Sequence, residues 1–355
     1  MTETLSTTEL SDSARRFLSE QFNRHSAWQP DGNFADGFRS IAELGWTQLT
    51  IPESHDGLGQ DFRALAAIYS ELGRALSPVP LMSSMVAVEA LLALDASCAT
   101  ALELVKMIGS GELIVTVAFA RAGELYCEDA ASGEVLLCAD LRNVIDAQVA
   151  SHVLILPSVG DGPVILLNLQ EPGVTMTPVQ MWDRSRRPAD IRVAGSAVRL
   201  LCGANPDVQS ASALALAHLD LALAWDSIGG GMQALEESVA YMATRRQFNR
   251  PVGSFQALKH RAADLKVGLE LASALAVRAS TSFAKRSSGW ARLAAQARLL
   301  AVRVYSDMGE EMVQFHGGIG VTWEHDCHRF LKRAKFNELG GERLEAVMDR
   351  ISAGM

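Results

Sequence analysis

The chain has 355 residues and a formal net charge of −9, from 41 acidic against 32 basic side chains. That balance excludes the basic face a phosphate-backbone binder needs. With 48% hydrophobic and 21% charged residues, the sequence can bury a large core and falls outside the disordered class.

The amino terminus, MTETLSTTELSDSARR, lacks the basic start and apolar core of a secretion signal. Leu10, Ala14, Phe17 and Leu18 recur at helical spacing, as do Phe38, Ile41, Ala42 and Leu44. Pro52, Gly57 and Gly59 mark Ile51 to Phe62 as a turn-rich connection. A helix over Ala64 to Leu76 follows, then an apolar stretch after Pro80 that supports another. The pattern changes at Glu112. Leu113–Phe119, Val135–Cys138, His152–Leu156 and Val164–Leu167 are short β-rich runs separated by turn pairs such as Ser132-Gly133 and Pro172-Gly173. Close spacing without intervening helices favours an antiparallel sheet or small barrel over a Rossmann sheet. No GxGxxG or P-loop is present.

From Val208 the chain reads as helix again. Leu214 to Arg246 is nearly uninterrupted and ends at Asn249-Arg250-Pro251; Phe255 to Lys285 and Trp290 to Phe315 form two more helices of bundle length. Gly229-Gly230-Gly231 sits inside the helical pattern and marks close helix packing or a kink. The apolar run after Ala211 is broken by His218, Asp220 and Asp226, so no stretch offers the about 20 apolar residues of a membrane span. Cys98, Cys127, Cys138, Cys202 and Cys327 are odd in number and never in CxxC spacing, which fits reduced thiols in a cytoplasmic protein. His218 and His260 read as satisfied helix residues, and no histidine pair makes a metal site. The expected fold is α+β: an N-terminal α-helical domain over 1–112, a central antiparallel β-barrel or sandwich over 113–206, and a C-terminal four-helix-type bundle over 207–355. No nucleic acid or membrane partner is expected.

Several residues in the last block suit a dinucleotide. Arg245 carries a fixed fork of donors matched to a diphosphate. Phe248 and Phe255 offer apolar faces to a flat ring, and Gln256 and Gln314 can bond its edge. Gly317 and Gly318 let backbone amides approach phosphate oxygens without a side chain in the way. Taken singly, each also reads as a helix-surface arginine, a core phenylalanine or a turn glycine. Their order and spacing tell against that.

Arg245-Arg-Gln-Phe-Asn-Arg-Pro-Val-Gly-Ser-Phe-Gln-Ala-Leu-Lys-His-Arg-Ala-Ala-Asp264 resembles the RxQFxxPIxxFQxxKHxxAD segment of the acyl-CoA dehydrogenase family. Gln314-Phe-His-Gly-Gly-Ile-Gly-Val-Thr322, with Glu324 and Arg329 to Ala334, resembles its QxHGGxGxTxExxxxRxxRxA segment. Pro52 to Gly59 resembles its PExxGGLG turn. The resemblance implies FAD as cofactor, an acyl-CoA thioester as substrate and electron-transfer flavoprotein as electron acceptor. It implies cofactor contacts from Arg245, Gln247, Phe248, Phe255, Gln256, Gln314, His316, Gly317 and Gly318. In the family these segments reach across a subunit interface to the ADP half of a neighbour's FAD, so an oligomer is implied too.

Two departures sharpen the expectation. The family's TEPxAGSD strand is replaced by Val115-Thr-Val-Ala-Phe-Ala-Arg-Ala-Gly-Glu124, and the tryptophan due near Asn143 to Asp146 is absent. The family's usual base, a glutamate, falls at Gly341 when counted from Lys335, and its alternative helix position falls at Leu219, beside Asp220. Asp220 is therefore a candidate base, or a capping or ion-pair acid. Together these features resemble the short subunits of heteromeric acyl-CoA dehydrogenases of actinobacterial steroid side-chain degradation, implying an α2β2 assembly in which a second dehydrogenase-like subunit supplies the base. Two readings stand beside it: a structural subunit without catalytic contacts, and a homomeric flavoenzyme of this fold with oxidase or monooxygenase chemistry.

Overall fold

Helix α1 (Thr7–Gln21) starts at Ser6, whose hydroxyl accepts from the Glu9 amide at 3.5 Å, and it buries Ala14 and Leu18. The computed structural model describes residues 6–22, 34–94, 98, 100–121, 124–129, 135–158 and 162–353. Helix α2 (Phe34–Glu43) buries Phe38, Ile41 and Ala42 along one stripe, while Leu44 falls past its end and is exposed. The turn after it is sterically fixed. A Cβ on Gly57 would lie 2.0 Å from the Ile51 carbonyl oxygen, so only glycine closes that loop. Helices α3 (Phe62–Ala75), α4 (Leu81–Ala93) and α5 (Ala101–Gly109) complete the first helical block.

Seven strands follow: β1 (Val115–Ala120), β2 (Leu125–Asp129), β3 (Val135–Val144), β4 (His152–Pro157), β5 (Val164–Asn168), β6 (Val174–Pro178) and β7 (Ala189–Cys202). They hydrogen-bond in the order β1-β4-β5-β7-β3-β2, with β6 on β7. Every pair is antiparallel except β1 with β4, which is parallel. The sheet is thus mixed where the sequence suggested a purely antiparallel one. The physical reason is the crossover: the β2–β3 hairpin lies between β1 and β4 and lets β4 run in the same sense. Strand β7 bonds β3 and β6 through its first half and β5 through its last residues. Leu137 pairs with Ser196 and Cys138 with Ala194, so Gly195 (φ +70°) is the extra residue of a bulge that bends β7 between its partners. Buried Leu137, Leu141, Val153, Ile155, Ile165, Leu167, Ile191 and Val193 form this sheet's core.

The carboxyl-terminal block begins at α6 (Pro206–Thr244), where Asn205 Oδ1 caps the Val208 amide at 3.1 Å and proline occupies the first helical position. A short hairpin joins β8 (Arg246–Gln247) to β9 (Arg250–Pro251) and leads to α7 (Gln256–Ala284). Helix α8 (Trp290–His316), a 3-10 turn over Gly317–Val321, α9 (Cys327–Leu339) and α10 (Leu344–Ser352) complete it. The glycine triplet is a packing device. A Cβ on Gly229 would sit 1.8 Å from the Ser70 carbonyl oxygen of α3, and one on Gly230 would meet the Tyr305 ring at 2.5 Å. Among the described residues, α6 is the one helix long and apolar enough to cross a membrane, and 89% of its apolar window is buried within the protein.

The contacts divide the chain into two units that cut across the three sequence blocks. One holds residues 34–61 and 78–219, with the β-sheet, α2, α4 and α5. The other holds residues 6–22, 62–77 and 220–353, with α1, α3, most of α6 and everything after it.

Candidate functional site

The hairpin after α6 turns on two residues with left-handed backbones, Phe248 (φ +52°) and Asn249 (φ +62°), between the bonded pair Gln247 and Arg250. Such a two-residue turn favours Asn or Gly at both positions. A phenylalanine there is strained, and Phe248 is also 85% exposed. Backbone strain and an unburied aromatic ring thus coincide at one residue. Arg245 and Gln247 are exposed beside it, and Gln256 is exposed at the start of α7. Phe255 differs from the sequence expectation of a free ring face. Its ring lies 4.0 Å under the Arg250 guanidinium and meets Phe248 edge-on at 6.2 Å, so it props the hairpin and is partly covered.

The second segment is the end of α8. Gln314 is exposed on its last turn, and Gly317 (φ +62°) caps the helix by donating its amide to the Gln314 and Val313 carbonyls. A Cβ built on Gly317 or Gly318 meets nothing within 4 Å, so the backbone there is open to an approaching group. Tyr241 joins the two segments. Its carbonyl accepts the Arg245 amide at 2.9 Å, and its hydroxyl donates to the His316 carbonyl at 3.4 Å. His316 departs from the other site residues: its side chain is 4% exposed and turned inward, and only its backbone belongs to the loop. Burial pushes its imidazole below the usual histidine range, against the opposing pull of the Met312 carbonyl.

Exposed guanidinium and amide donors, a projecting aromatic ring and an uncovered glycine backbone are the donor set that fits an anionic dinucleotide such as FAD. In the stretch that stands where the family has TEPxAGSD, the strand residues described carry little hydrogen-bonding capacity toward solvent, and Arg121 follows them as an exposed guanidinium. The last residues of β1 are Ala118, Phe119 and Ala120, and Thr116, the hydroxyl on that strand, is buried and bonded to the Ile145 carbonyl. Ala122 and Gly123 of the same stretch lie outside the described residues. Asn143 and Asp146, where the family tryptophan is due, both have left-handed backbones, and Asp146 is buried against the Ser83 hydroxyl at 2.9 Å.

Neither candidate base position presents a free carboxylate. Asp220 is fully buried, with Oδ1 accepting from Arg298 at 3.0 Å and Oδ2 from Arg350 at 2.7 Å. Both its oxygens are engaged by guanidinium groups, the arrangement of an ion-pair acid, one of the two readings of this residue. Arg298 also donates to the Gly340 and Glu342 carbonyls, pinning the backbone on either side of Gly341 (φ +73°). A second buried pair, Arg333 with Asp226 at 3.0 Å, is completed by Asn337 at 2.8 Å, so Arg333 serves structure, while the two arginine positions of RxxRxA fall on Arg329 and Lys332.

Sequence reasoning missed Tyr241, Arg298, Arg350 and His325, and read Cys327 only as one of the scattered reduced thiols. His325 and Cys327 carried a readable signal in their two-residue spacing; the arginines carried none, because their partners are far along the chain. Cys327 is fully buried, and burial pushes its thiol up to about 12.

Known proteins carry the same patterns. Residues 210–355 match the family profile "Acyl-CoA dehydrogenase, C-terminal domain", and residues 4–93 match "Acyl-CoA dehydrogenase, N-terminal domain". The chain is 34% identical over 292 residues to "Acyl-CoA dehydrogenase IpdE2" of Mycolicibacterium smegmatis, covering 82% of this chain and 78% of that one. Its fold resembles a chain of the ChsE4-ChsE5 complex from Mycobacterium tuberculosis at TM-score 0.85 and 23% identity, over 99% of this chain and 97% of that one. It resembles a variant of the Tcur3481-Tcur3483 steroid ACAD at TM-score 0.84 and 23% identity, over 98% and 96% of the two chains.

Proposed function

The chain belongs to the acyl-CoA dehydrogenase family, and from that premise we propose that it works as the base-free half of a heteromeric enzyme. The coarse activity is that of the family: FAD-dependent dehydrogenation of an acyl-CoA thioester. Bound FAD supplies the acceptor for the hydride that leaves the substrate β-carbon. What we assign to this chain is the other work of the site. Arg245, Gln247, Gln256 and Gln314 bind the polar edge and diphosphate of an FAD seated mainly on a partner chain. Phe248 covers the flat ring system, and Gly317 and Gly318 give phosphate oxygens room to reach the backbone. His316 orients this loop from beneath.

The observation that carries the reading is the state of the two base positions. Gly341 has no side chain, and its left-handed backbone disfavours any other residue. Asp220 already neutralises two arginines. A competent base is a carboxylate free to take the α-proton beside an apolar chain. Neither position offers one, so the partner supplies it. We propose an α2β2 assembly with one FAD per heterodimer and electron-transfer flavoprotein as acceptor. The fold-level likeness to a steroid ACAD, together with the departures at Gly341 and in β1, supports a steroid-derived acyl group as the substrate class.

Acyl-CoA oxidation with an artificial acceptor tests this. The complex with a partner carrying an intact TEPxAGSD strand turns over, and the chain alone does not. Turnover by the chain alone, lost in Asp220→Asn with flavin retained, overturns the reading. General-base removal costs roughly 10²–10⁴-fold, well above assay noise.

A further inference from the structure

The end of α8 and the start of α9 bring together His316, His325 and Cys327, whose ligand-capable atoms all lie within 4.8 Å of one another. The geometry of His316 is the key observation. Its Nδ1 sits 2.7 Å from the Met312 carbonyl oxygen, which can only accept. The ring proton is therefore on Nδ1, and Nε2 carries a bare lone pair. That Nε2 is buried and has no hydrogen-bond partner, although nearly all buried polar atoms have one. The Tyr241 ring stacks on the imidazole at 4.3 Å and 26°, which fixes its plane. An imidazole held by a carbonyl on one nitrogen, with the other nitrogen free, is the arrangement metal-binding histidines adopt.

Opposite it, Cys327 Sγ lies 3.0 Å from His325 Nδ1, and the rings of His316 and His325 are 4.3 Å apart. Glu237, on the facing helix α6, acts electrostatically on both His316 and Cys327 and makes the surroundings favourable to a cation.

We propose that His316 Nε2, His325 and Cys327 Sγ form a three-ligand site for a borderline-soft divalent cation, Zn²⁺ above all, with water as fourth ligand, which staples the end of α8 to the start of α9. Two imidazoles and a thiolate are a zinc set in kind and number. Tetrahedral zinc places such ligand atoms about 3.3–3.7 Å apart, so the widest pair has to close by about an ångström. Of the three side chains, His325 is half-buried and has the room to move toward the other two. On binding, the S–H bond breaks, the proton leaves to solvent and the S–Zn bond forms, with no change of oxidation state. The loop Gly317–Val321 runs in sequence between the ligands His316 and His325, so the ion would tie its two ends together.

The test uses the full chain, stripped with a chelator, dialysed against ZnCl₂ and passed over a desalting column. One zinc per chain is the expected result, with Co²⁺ giving a thiolate-to-cobalt charge-transfer band in the difference spectrum. His325→Gln and Cys327→Ser each weaken zinc binding at least about tenfold and abolish or shift that band. His325 is half-buried at the surface, so its variant keeps the fold, which far-ultraviolet circular dichroism checks. Absence of retained zinc, retention unchanged in both variants, or cobalt bound without a charge-transfer band overturns the site.

Discussion

At the scale of single residues, Asp220 illustrates how position and role separate. Sequence spacing puts it beside a known base position, yet its partners Arg298 and Arg350 lie 78 and 130 residues further on, beyond the reach of any local pattern. Removing the carboxylate of this cluster strands the fully buried Arg298 and the partly exposed Arg350, a loss on the order of the 3–5 kcal/mol of a broken buried pair. Asp220→Ala should therefore lower unfolding stability by about that amount in chemical denaturation, and a near-neutral result would contradict its structural role. Arg245 makes the opposite case. It is exposed, bonded through its backbone, and legible from the motif alone. Arg245→Ala should leave stability within about 0.5 kcal/mol and weaken flavin retention by the roughly 1.5–3 kcal/mol of a charge-assisted contact. Titration of FAD into the variant complex measures it.

At the scale of elements, the long helices were readable because apolar and helix-favouring residues run nearly uninterrupted over many turns up to a clear stop such as Asn249-Arg250-Pro251. The glycine triplet of α6 was readable as close packing, since three adjacent glycines in a helix need a steric reason. Gly229→Ala puts a methyl group into the Ser70 carbonyl of α3 and should cost about 3 kcal/mol or more, read as a lowered urea midpoint. Strands β2, β6 and β7 were not readable. Strand β6 is mostly exposed, and β7 carries Gly195 and two arginines, Arg192 and Arg199, whose meaning depends on partners in β3, β5 and β6.

One junction of that sheet is pH-dependent. Burial pushes the Asp190 carboxyl up, but the Asn143 amide at 2.8 Å and the Arg142 guanidinium at 2.9 Å outweigh it and hold the carboxyl below its usual range. A depressed folded-state pKa contributes stability that is present above the unfolded value of about 3.9 and is lost as pH falls through the folded one. Asp190→Asn loses the charge that Arg142 and the Asn143 amide stabilise. Its deficit should be full near neutral pH and shrink as pH falls below the usual carboxylate range in denaturant melts.

At the scale of the whole molecule, the helix–sheet–helix order was legible because period and turn chemistry agree within each block. The parallel β1–β4 pair was not, since it depends on where a hairpin sends the chain, which no strand pattern records. The site divides the same way. Its exposed donors lie in two motifs that sequence alone delimits, whereas the inward turn of His316, the propping role of Phe255 and the arginine pins around Gly341 are products of folding. A chain that presents cofactor donors outward, while neither of its base positions offers a free carboxylate, makes sense as one side of a shared site. Flavin stoichiometry tests that most directly. Visible absorption of the chain purified alone, and of the complex co-purified with a base-bearing partner, gives FAD per chain in each state. The account predicts no stoichiometric flavin on the chain alone and one FAD for every two chains in the complex; one tightly bound FAD per chain in the protein purified alone would contradict it.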